Sequence, residues 1–596
     1  MTTIRRLSLA TAAAMYVLIV IGGVVRVTGS GLGCPDWPMC HGQVIPPFER
    51  EVLIEYTHRL AASVVGLLVL ATLVVAWLRY RQQRSILWPA TAASVLLVFQ
   101  VILGGITVLQ ELPPEIVTAH LATALATIAM VTLVVVSSFT GGRQEGARSR
   151  AGRAFMRFTL FTAAATYVVM LSGSLVVGEG ASLACQGWPL CNGSIIPSGD
   201  AAVHIHFTHR ALVALVGLAV LGVFVMAWRD FRGNPPIVKA ASAALLLYAV
   251  QVVVGAGNIW SDLSQVVAAA HLAVGTAVWL AMVVLAVLAY QLPLGEPEAE
   301  EPEAPAGESR RGLRDTIRAY VALSKPRIIF LLLVTTVPAM VLAQEGMPSP
   351  WLILATLIGG TLAAGGAHAV NCYVDRDIDR VMSRTQRRPL PRHEVPPERA
   401  LIFGLTLGWI GFLELAALVN VLSAMLALSA LVFYVLVYSL WLKRTTPQNI
   451  VIGGAAGAIP PLVGWAAVTN SVGLPALILF AIIFMWTPPH FWALALRFQE
   501  DYRRAGVPML PVVKGADETR REILVYTALL VGVTLLLFAV SGAGYVYLLS
   551  ALLLGGLFLA RAYRLWRDPE RQSAMKLFHF SITYLALLFA AMVADV

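Results

Sequence analysis

The sequence predicts an all-α polytopic membrane protein: duplicated four-helix bundles with eight spans in all, followed by a nine-span bundle, 17 spans together. Three observations carry this. The 596 residues are 58% apolar and 13% charged, whereas soluble domains run at about 45–50% and about 25%. The apolar runs recur at about the 20 residues that a helix needs to cross a bilayer. Residues 1–140 realign on 152–291 without a gap, at an offset of 151 residues that matches Tyr16 with Tyr167, Gln100 with Gln251 and Gly104 with Gly255.

The first set of spans lies near 9–28, 58–78, 88–109, 116–138, 155–177, 209–228, 237–259 and 266–288. The second lies near 327–344, 351–371, 399–419, 421–442, 449–468, 474–495, 522–541, 543–561 and 576–594. Between them, residues 291–312 contain LPLGEPEAEEPEAPAGES, whose prolines and glutamates cannot bury a core and read as a disordered acidic linker. The domains are therefore 1–290 and 313–596. The first span follows Arg5 and Arg6 and resembles a cleavable signal peptide, but its mid-chain counterpart in the repeat marks it as a true span.

The net charge of +10 falls on alternate loops. Arg79, Arg81 and Arg84, then Arg143 to Arg157, then Arg229, Arg232 and Lys239 lie on one side, as do Arg376 to Arg399, Lys443, Arg444, Arg497 to Arg521 and Arg561 to Lys576. The positive-inside rule then places the N-terminus and linker in the cytoplasm and the C-terminus outside, in a multi-pass plasma-membrane protein. The charge records topology, and no nucleic-acid partner is needed to explain it.

Each repeat sets one histidine at the outer end of its second span and one near the outer start of its fourth: His58 and His120, then His209 and His271. Ionisable groups inside a membrane are functional candidates by default. Two neutral imidazoles at one depth, facing across a four-helix bundle, have the donors for axial ligation of a haem iron. The competing account is buried histidines bonded to backbone carbonyls; it suits a lone histidine better than two matched pairs. Zinc fits less well, because each repeat offers two nitrogen ligands and no thiolate at that depth.

The repeats differ at one telling place. The first reads EYTHR, with Glu55 on the helix face of His58, and the second HFTHR, with His206 at the matching position. A carboxylate beside one pair alone suggests that one site reacts while the other binds haem or relays electrons; the alternative is that Glu55 merely pairs with Arg59. His204 and His206 read as loop residues near the membrane surface. The outer loops CPDWPMC and CQGWPLC each hold two cysteines in an oxidising compartment, so Cys34–Cys40 and Cys185–Cys191 disulfides are expected, with cross-pairing between repeats the other connectivity. Cys372 is left as a free thiol.

EYTHR, the paired outer-loop cysteines, the four histidines and the eight spans over 1–290 resemble the heme A synthases, which oxidise a haem methyl group to formyl. The resemblance implies that Glu55, His58 and His120 form the substrate site for heme O, and that His209 and His271 hold a resident haem b.

In the second domain, NCYVDRDIDRVMSRTQRRPLP follows a span on the cytoplasmic side. Asn371, Asp375 and Asp379 recur at i, i+4 and i+8, one helix face with about 40° of drift per step. Carboxylates so placed among arginines suit a magnesium-bridged diphosphate, whereas Asp377 falls on the other face as an arginine partner. The alternative is a solvated, charge-rich loop. Arg376, Arg380, Arg384, Lys443 and Arg444 are the candidates to hold the diphosphate, against the plainer role of positive-inside charges. A second run, WTPPHFWALALRFQEDYRRAGVPMLP, brings His490, Glu500 and Asp501 close if the bundle closes into a ring.

These features resemble the intramembrane prenyltransferases, which ionise a prenyl diphosphate with Mg2+. Within that superfamily, SKPR at Ser324–Arg327, YSLWLKR at Tyr438–Arg444 and TPPHF at Thr487–Phe491 resemble the heme O synthases, or protoheme IX farnesyltransferases, over about residues 313–596. The resemblance implies a farnesyl cation trapped by a haem vinyl group, with water completing a hydroxyethylfarnesyl group. The superfamily's second paired-aspartate motif is reduced here to Asp501 beside Glu500. His490 is either a contact to the haem substrate or a packing residue between Pro489 and Phe491.

The sequence thus reads as a fusion enzyme that makes heme O from haem b and farnesyl diphosphate, then heme A from heme O. Haem b and Mg2+ are the implied cofactors; the bilayer, an electron donor and terminal oxidase assembly factors are the implied partners. The rivals are a diheme b-type electron carrier, or a haem transporter, fused to a prenyltransferase.

Overall fold

The computed structural model describes residues 2–595 apart from 44, 145, 147, 195–196, 296–311 and 568–570, with backbone alone at 571–573. Most of the expected linker, 296–311, lies outside the described residues. Among the described residues, seventeen helices are long and apolar enough to cross a membrane, a design in which backbone amides find their partners inside their own helix. The chain divides into two units, Met1–Ala306 and Gly307–Val596.

The first unit contains α1 (Thr2–Val27), α2 (Arg50–Arg79), α3 (Arg84–Leu109), α4 (Pro114–Thr140), α5 (Arg150–Gly178), α6 (Ala201–Asp230), α7 (Pro235–Trp260) and α8 (Gln265–Gln291). The sequence offset survives as geometry: α6, α7 and α8 begin and end at the positions matching the ends of α2, α3 and α4. Prolines open α4 and α7, where the missing N–H costs nothing. Ser149 and Asp200 cap α5 and α6 through bonds to the Gly152 and Val203 amides. Each repeat closes into a ring of four helices, and the rings join along α1, α4, α5 and α8. The seam is two-fold in character. Tyr16 Oη donates to Ala273 O at 3.1 Å, and its repeat partner Tyr167 donates to Ala122 O at 2.9 Å, so both donors and both acceptors are repeat equivalents.

The second unit comprises α9 (Leu313–Leu323), α10 (Pro326–Gln344), α11 (Pro350–Val374), α12 (Arg376–Val381), α13 (Pro397–Leu418) and α14 (Val421–Val432), which continues as a π-helix over Phe433–Leu442 into α15 (Lys443–Thr445). There follow α16 (Asn449–Thr469), α17 (Leu474–Arg497), α18 (Gln499–Arg504), α19 (Leu510–Val513), α20 (Gly515–Ser541), α21 (Tyr545–Arg567) and α22 (Arg571–Ala594). The long helices neighbour one another in chain order and α22 returns to α10, closing the ring. Glycines allow a close approach between α11 and α13. A Cβ on Gly366 would stand 2.5 Å from the Gly408 nitrogen, so the backbones meet with nothing between them.

Candidate functional site

The four histidines of the first unit share one packing rule. Each ring lies on a glycine of a neighbouring helix: His58 on Gly22, His120 on Gly104, His209 on Gly173 and His271 on Gly255, where an added Cβ would come within 3.0–3.2 Å of the ring carbon Cε1. His58 and His120 lie within electrostatic reach of each other, as do His209 and His271. Gln100 Nε2 lies 3.1 Å from His120 Nε2, and Gln251 Nε2 lies 3.4 Å from His271 Nε2. An amide nitrogen can only donate, so both imidazoles present an Nε2 lone pair. Nδ1 of His58, His120 and His271, and Oε1 of both glutamines, are buried without a partner. Buried polar atoms are normally satisfied, and this concentration around paired imidazoles fits a ligand with an imidazole-binding metal such as haem iron.

The repeats diverge around this shared frame. Ser172 Oγ gives its hydrogen to Val169 O at 2.8 Å and therefore accepts from His209 Nδ1 at 2.8 Å, which fixes the tautomer and puts the lone pair on Nε2. The matching residue in the first repeat is Ile21, and His58 Nδ1 has no partner. Glu55 is buried, accepting from the Cys34 amide at 2.8 Å and from Arg59 at 2.5 Å. The pairing with Arg59 weighed from sequence is therefore present. His206, expected in a surface loop, is instead buried within α6, its Nδ1 2.9 Å from Ala181 O. Asp200 starts the helix about two turns earlier than the apolar run suggests.

Disulfides join Cys34 to Cys40 and Cys185 to Cys191, the pairing within each repeat. Arg59 braces the first loop by donating to the carbonyls of Cys34, Asp36 and Met39. Arg210 does the same to Cys185, Gly187 and Leu190. Trp37 of the first loop lies on Gly105, next to the glycine that seats His120.

In the second unit, Asn371, Asp375 and Asp379 are all buried. The helical hydrogen bonds continue from Asn371 to Asp375 and from Asp375 to Asp379 at 2.9 and 2.8 Å, although Asp375 itself marks a break between α11 and α12. Asn371 Nδ2 donates to Asp375 Oδ2 at 2.8 Å and to Ser439 Oγ at 3.0 Å, while its Oδ1 accepts from Lys325 Nζ at 2.7 Å. Lys443 Nζ reaches Asp375 at 2.5 Å, and Arg388 grips both oxygens of Asp379 at 2.8 and 2.9 Å. Arg444 is bidentate on Asp377 at 2.9 Å and stands 3.9 Å from Asp375 Oδ1, an oxygen that accepts no hydrogen bond. Carboxylate and amide oxygens, one of them unclaimed, are a donor set that fits Mg2+. Burial pushes the Lys325 ammonium below its ordinary value. Burial also works against Arg388, but Asp379 outweighs it and holds the guanidinium above its usual range.

Not every expected cation converges there. Lys443 and Arg444 do; Arg376 bonds the Tyr373 carbonyl and covers that ring, and Arg384 lies over Phe498. The two charged runs meet at Asp501, which accepts from Ser383 at 2.5 Å and pairs with Arg504. Burial raises the Asp501 carboxyl, but these two partners outweigh it and keep it below the usual carboxylate range. Glu500 instead pairs with Arg503. His490 is stacked between Trp486 at 4.2 Å and Phe578 at 4.7 Å, and its Nδ1 meets Ser581 Oγ at 2.7 Å.

Sequence reasoning missed Lys325, Arg388, His368 and the π-helix. Lys325 adopts φ 53° immediately before Pro326, a strained setting for a residue with a side chain. His368 lies on α11 one turn before Asn371, buried with neither ring nitrogen bonded, its ring edge-on to Tyr434 at 5.6 Å. Tyr434 and Tyr438 stack at 5.4 Å along the π-helix, and Ser439 closes it by bonding Tyr434 O.

Two family models match the chain: that of cytochrome oxidase assembly proteins over residues 5–283, with a further match over 200–330, and that of the UbiA prenyltransferase family over 332–588. Fold and sites thus define a class, a membrane enzyme in which a haem-associated assembly unit is fused to an intramembrane prenyltransferase. A protoheme IX farnesyltransferase of Roseiflexus sp. (strain RS-1) is 40% identical over 541 residues, 87% of this chain and 99% of the relative. One of Parafrankia sp. (strain EAN1pec) is 55% identical over 302 residues, 50% of this chain and 96% of the relative. Among solved structures, a UbiA homolog from Archaeoglobus fulgidus bound to GPP and Mg2+ has a TM-score of 0.34 and 19% identity, covering 46% of this chain and 99% of its own. The chain belongs to the protoheme IX farnesyltransferases of the UbiA prenyltransferase family, in a form that carries a cytochrome oxidase assembly unit on its N-terminal side.

Proposed function

We propose that the second unit transfers a farnesyl group from farnesyl diphosphate to a vinyl group of haem b, releasing diphosphate and taking up water as the hydroxyl to give heme O, and that the first unit oxidises a methyl group of heme O to formyl, giving heme A, a four-electron oxidation (–CH3 + H2O → –CHO + 4 H+ + 4 e−) whose electrons pass to an external oxidant. One observation carries the reading: a single chain holds a buried acid-and-cation site and two histidine-pair sites that differ by a carboxylate. Lys325, Lys443, Arg388 and Arg444 surround Asn371, Asp375 and Asp379 with the charge that a leaving diphosphate needs. Asp375, Asp379 and Asn371 would hold Mg2+, which neutralises phosphate charge when bound. The stacked rings of Tyr434 and Tyr438 offer π faces to a developing allylic cation.

In the first unit, His58 and His120 hold the porphyrin to be oxidised, with Glu55 beside it beneath the disulfide loop. His209 and His271 hold a resident haem b, which supplies electron-transfer capacity when bound. The Ser172 bond supports this division, because a ligand kept for the life of the protein gains from a fixed tautomer. Arginine-rich loops on alternate sides support a cytoplasmic N-terminus and acid-and-cation site, an outer C-terminus and residence in the plasma membrane. Solvent extraction of the haems made by cells expressing the whole chain tests the proposal. Heme A is expected from the native chain, and haem b alone from Asp375→Ala, because farnesylation comes first. Heme A production by Asp375→Ala protein, in a host that makes no heme O of its own, would refute the order.

A further inference from the structure

The seam between the two bundles of the first unit is two-fold, so each spot on it has a counterpart, and one such pair of spots does not match. At the outer end of α1, Arg26 Nη1 donates to Ser174 Oγ at 3.2 Å, and Nη2 lies 3.5 Å from Ser174 O, on α5 of the other bundle. Thr118 of α4 bonds the same hydroxyl at 3.0 Å. The repeat equivalents of Arg26, Ser174 and Thr118 are Val177, Gly23 and Ala269, so the counterpart spot is wholly apolar.

The polar spot is placed between the two histidine pairs. Arg26 stands one turn, about 6 Å of helix rise, outward of Gly22, which seats His58. Ser174 adjoins Gly173, which seats His209, and Thr118 precedes His120 by two residues. The guanidinium is half-buried and enters no ion pair among the described residues; Glu115 and Glu179, the nearest acids in sequence to this seam, are exposed. A half-buried cation at the end of a span without an anion is a candidate to bind one, and its planar donors suit a carboxylate.

We propose that Arg26 binds a propionate carboxylate of the porphyrin held in this unit. The inference rests on the haem reading given above. Ser174 and Thr118 act as positioning residues, holding the guanidinium at the seam.

The test uses the full chain in detergent, with haemin and haemin dimethyl ester as probes, followed by the low-spin absorption of bis-histidine iron. The native protein should bind haemin roughly ten-fold tighter than the ester, the scale of one charge-assisted hydrogen bond. Arg26→Leu should bind both probes alike at the level of the ester, and Arg26→Lys and Ser174→Ala should keep part of the preference. Making the comparison in His209→Ala and in His58→Ala protein assigns the carboxylate to the porphyrin of the first or the second bundle. A native protein that binds both probes equally, or a folded Arg26→Leu variant that keeps the preference, overturns the proposal. If neither histidine substitution alters the low-spin signal of the native protein, it is the haem reading that fails.

Discussion

The two repeats of the first unit share helix bounds, disulfide loops, bracing arginines and glycine seats, and differ in the groups that touch their histidines. In the first, a carboxylate lies under the loop and His58 keeps a free Nδ1; in the second, an imidazole takes the place of the carboxylate and Ser172 fixes His209. Duplication supplies two similar histidine pairs, and under the proposed function a few substitutions turn one toward exchange and chemistry and the other toward retention.

The widest gap between the repeats should appear in bound haem. His209→Ala is expected to lose essentially all tightly held haem and His58→Ala to keep it, measured as haem per protein after purification; the opposite result would reverse the assignment of the repeats. Next, Glu55→Gln should cut heme A formation by about 10²–10⁴-fold, the range of a lost proton-transfer group, while heme O accumulates and the resident haem stays. Unchanged heme A output would reduce Glu55 to a partner of Arg59. Ser172→Ala should weaken haem retention by about 10–100-fold, and Ile21→Ser should strengthen it at the first pair; equilibrium haem transfer to apomyoglobin reads both. The smallest effect is structural. Arg59→Ala should destabilise the unit more than Arg210→Ala by about 1–3 kcal/mol, because it also strands the buried Glu55; equal denaturation midpoints would show that Glu55 finds another partner.

Much of this was legible in the sequence because symmetry amplifies weak signals. A single histidine in an apolar run says little, yet four at one offset define the sites, and Gly22 and Gly173 stand at the same offset and could have been found with them. Ser172 and Arg26 were invisible to the same logic, since they matter by lacking an equivalent. In the second unit the Asn371–Asp375–Asp379 register was readable from helix periodicity. The choice of cations was not. Lys325 arrives from the junction of α9 and α10, and Arg388 comes back from a loop after α12, contacts that no local period encodes. Arg376 was expected at the diphosphate site as one of several arginines suited to bidentate contact, and its Nη1 bonds the Tyr373 carbonyl while the guanidinium covers that ring.

The π-helix of Phe433–Leu442 has a consequence for how this chain tolerates length changes. A π turn takes up more residues than an α turn between the same two ends, so the segment behaves as one extra residue absorbed into a span whose termini are held elsewhere. Deleting a residue there, at Val435 for instance, would let the span relax to an ordinary α-helix with both ends kept in place. Lys443 and Arg444 lie just beyond it, and both would keep their aim at Asp375 and Asp377. The same deletion in an α-helical stretch of the span, which holds no spare residue, would turn everything beyond it by about 100°. The π segment is therefore the place in this span where one residue can be lost without turning these two cations away from the site.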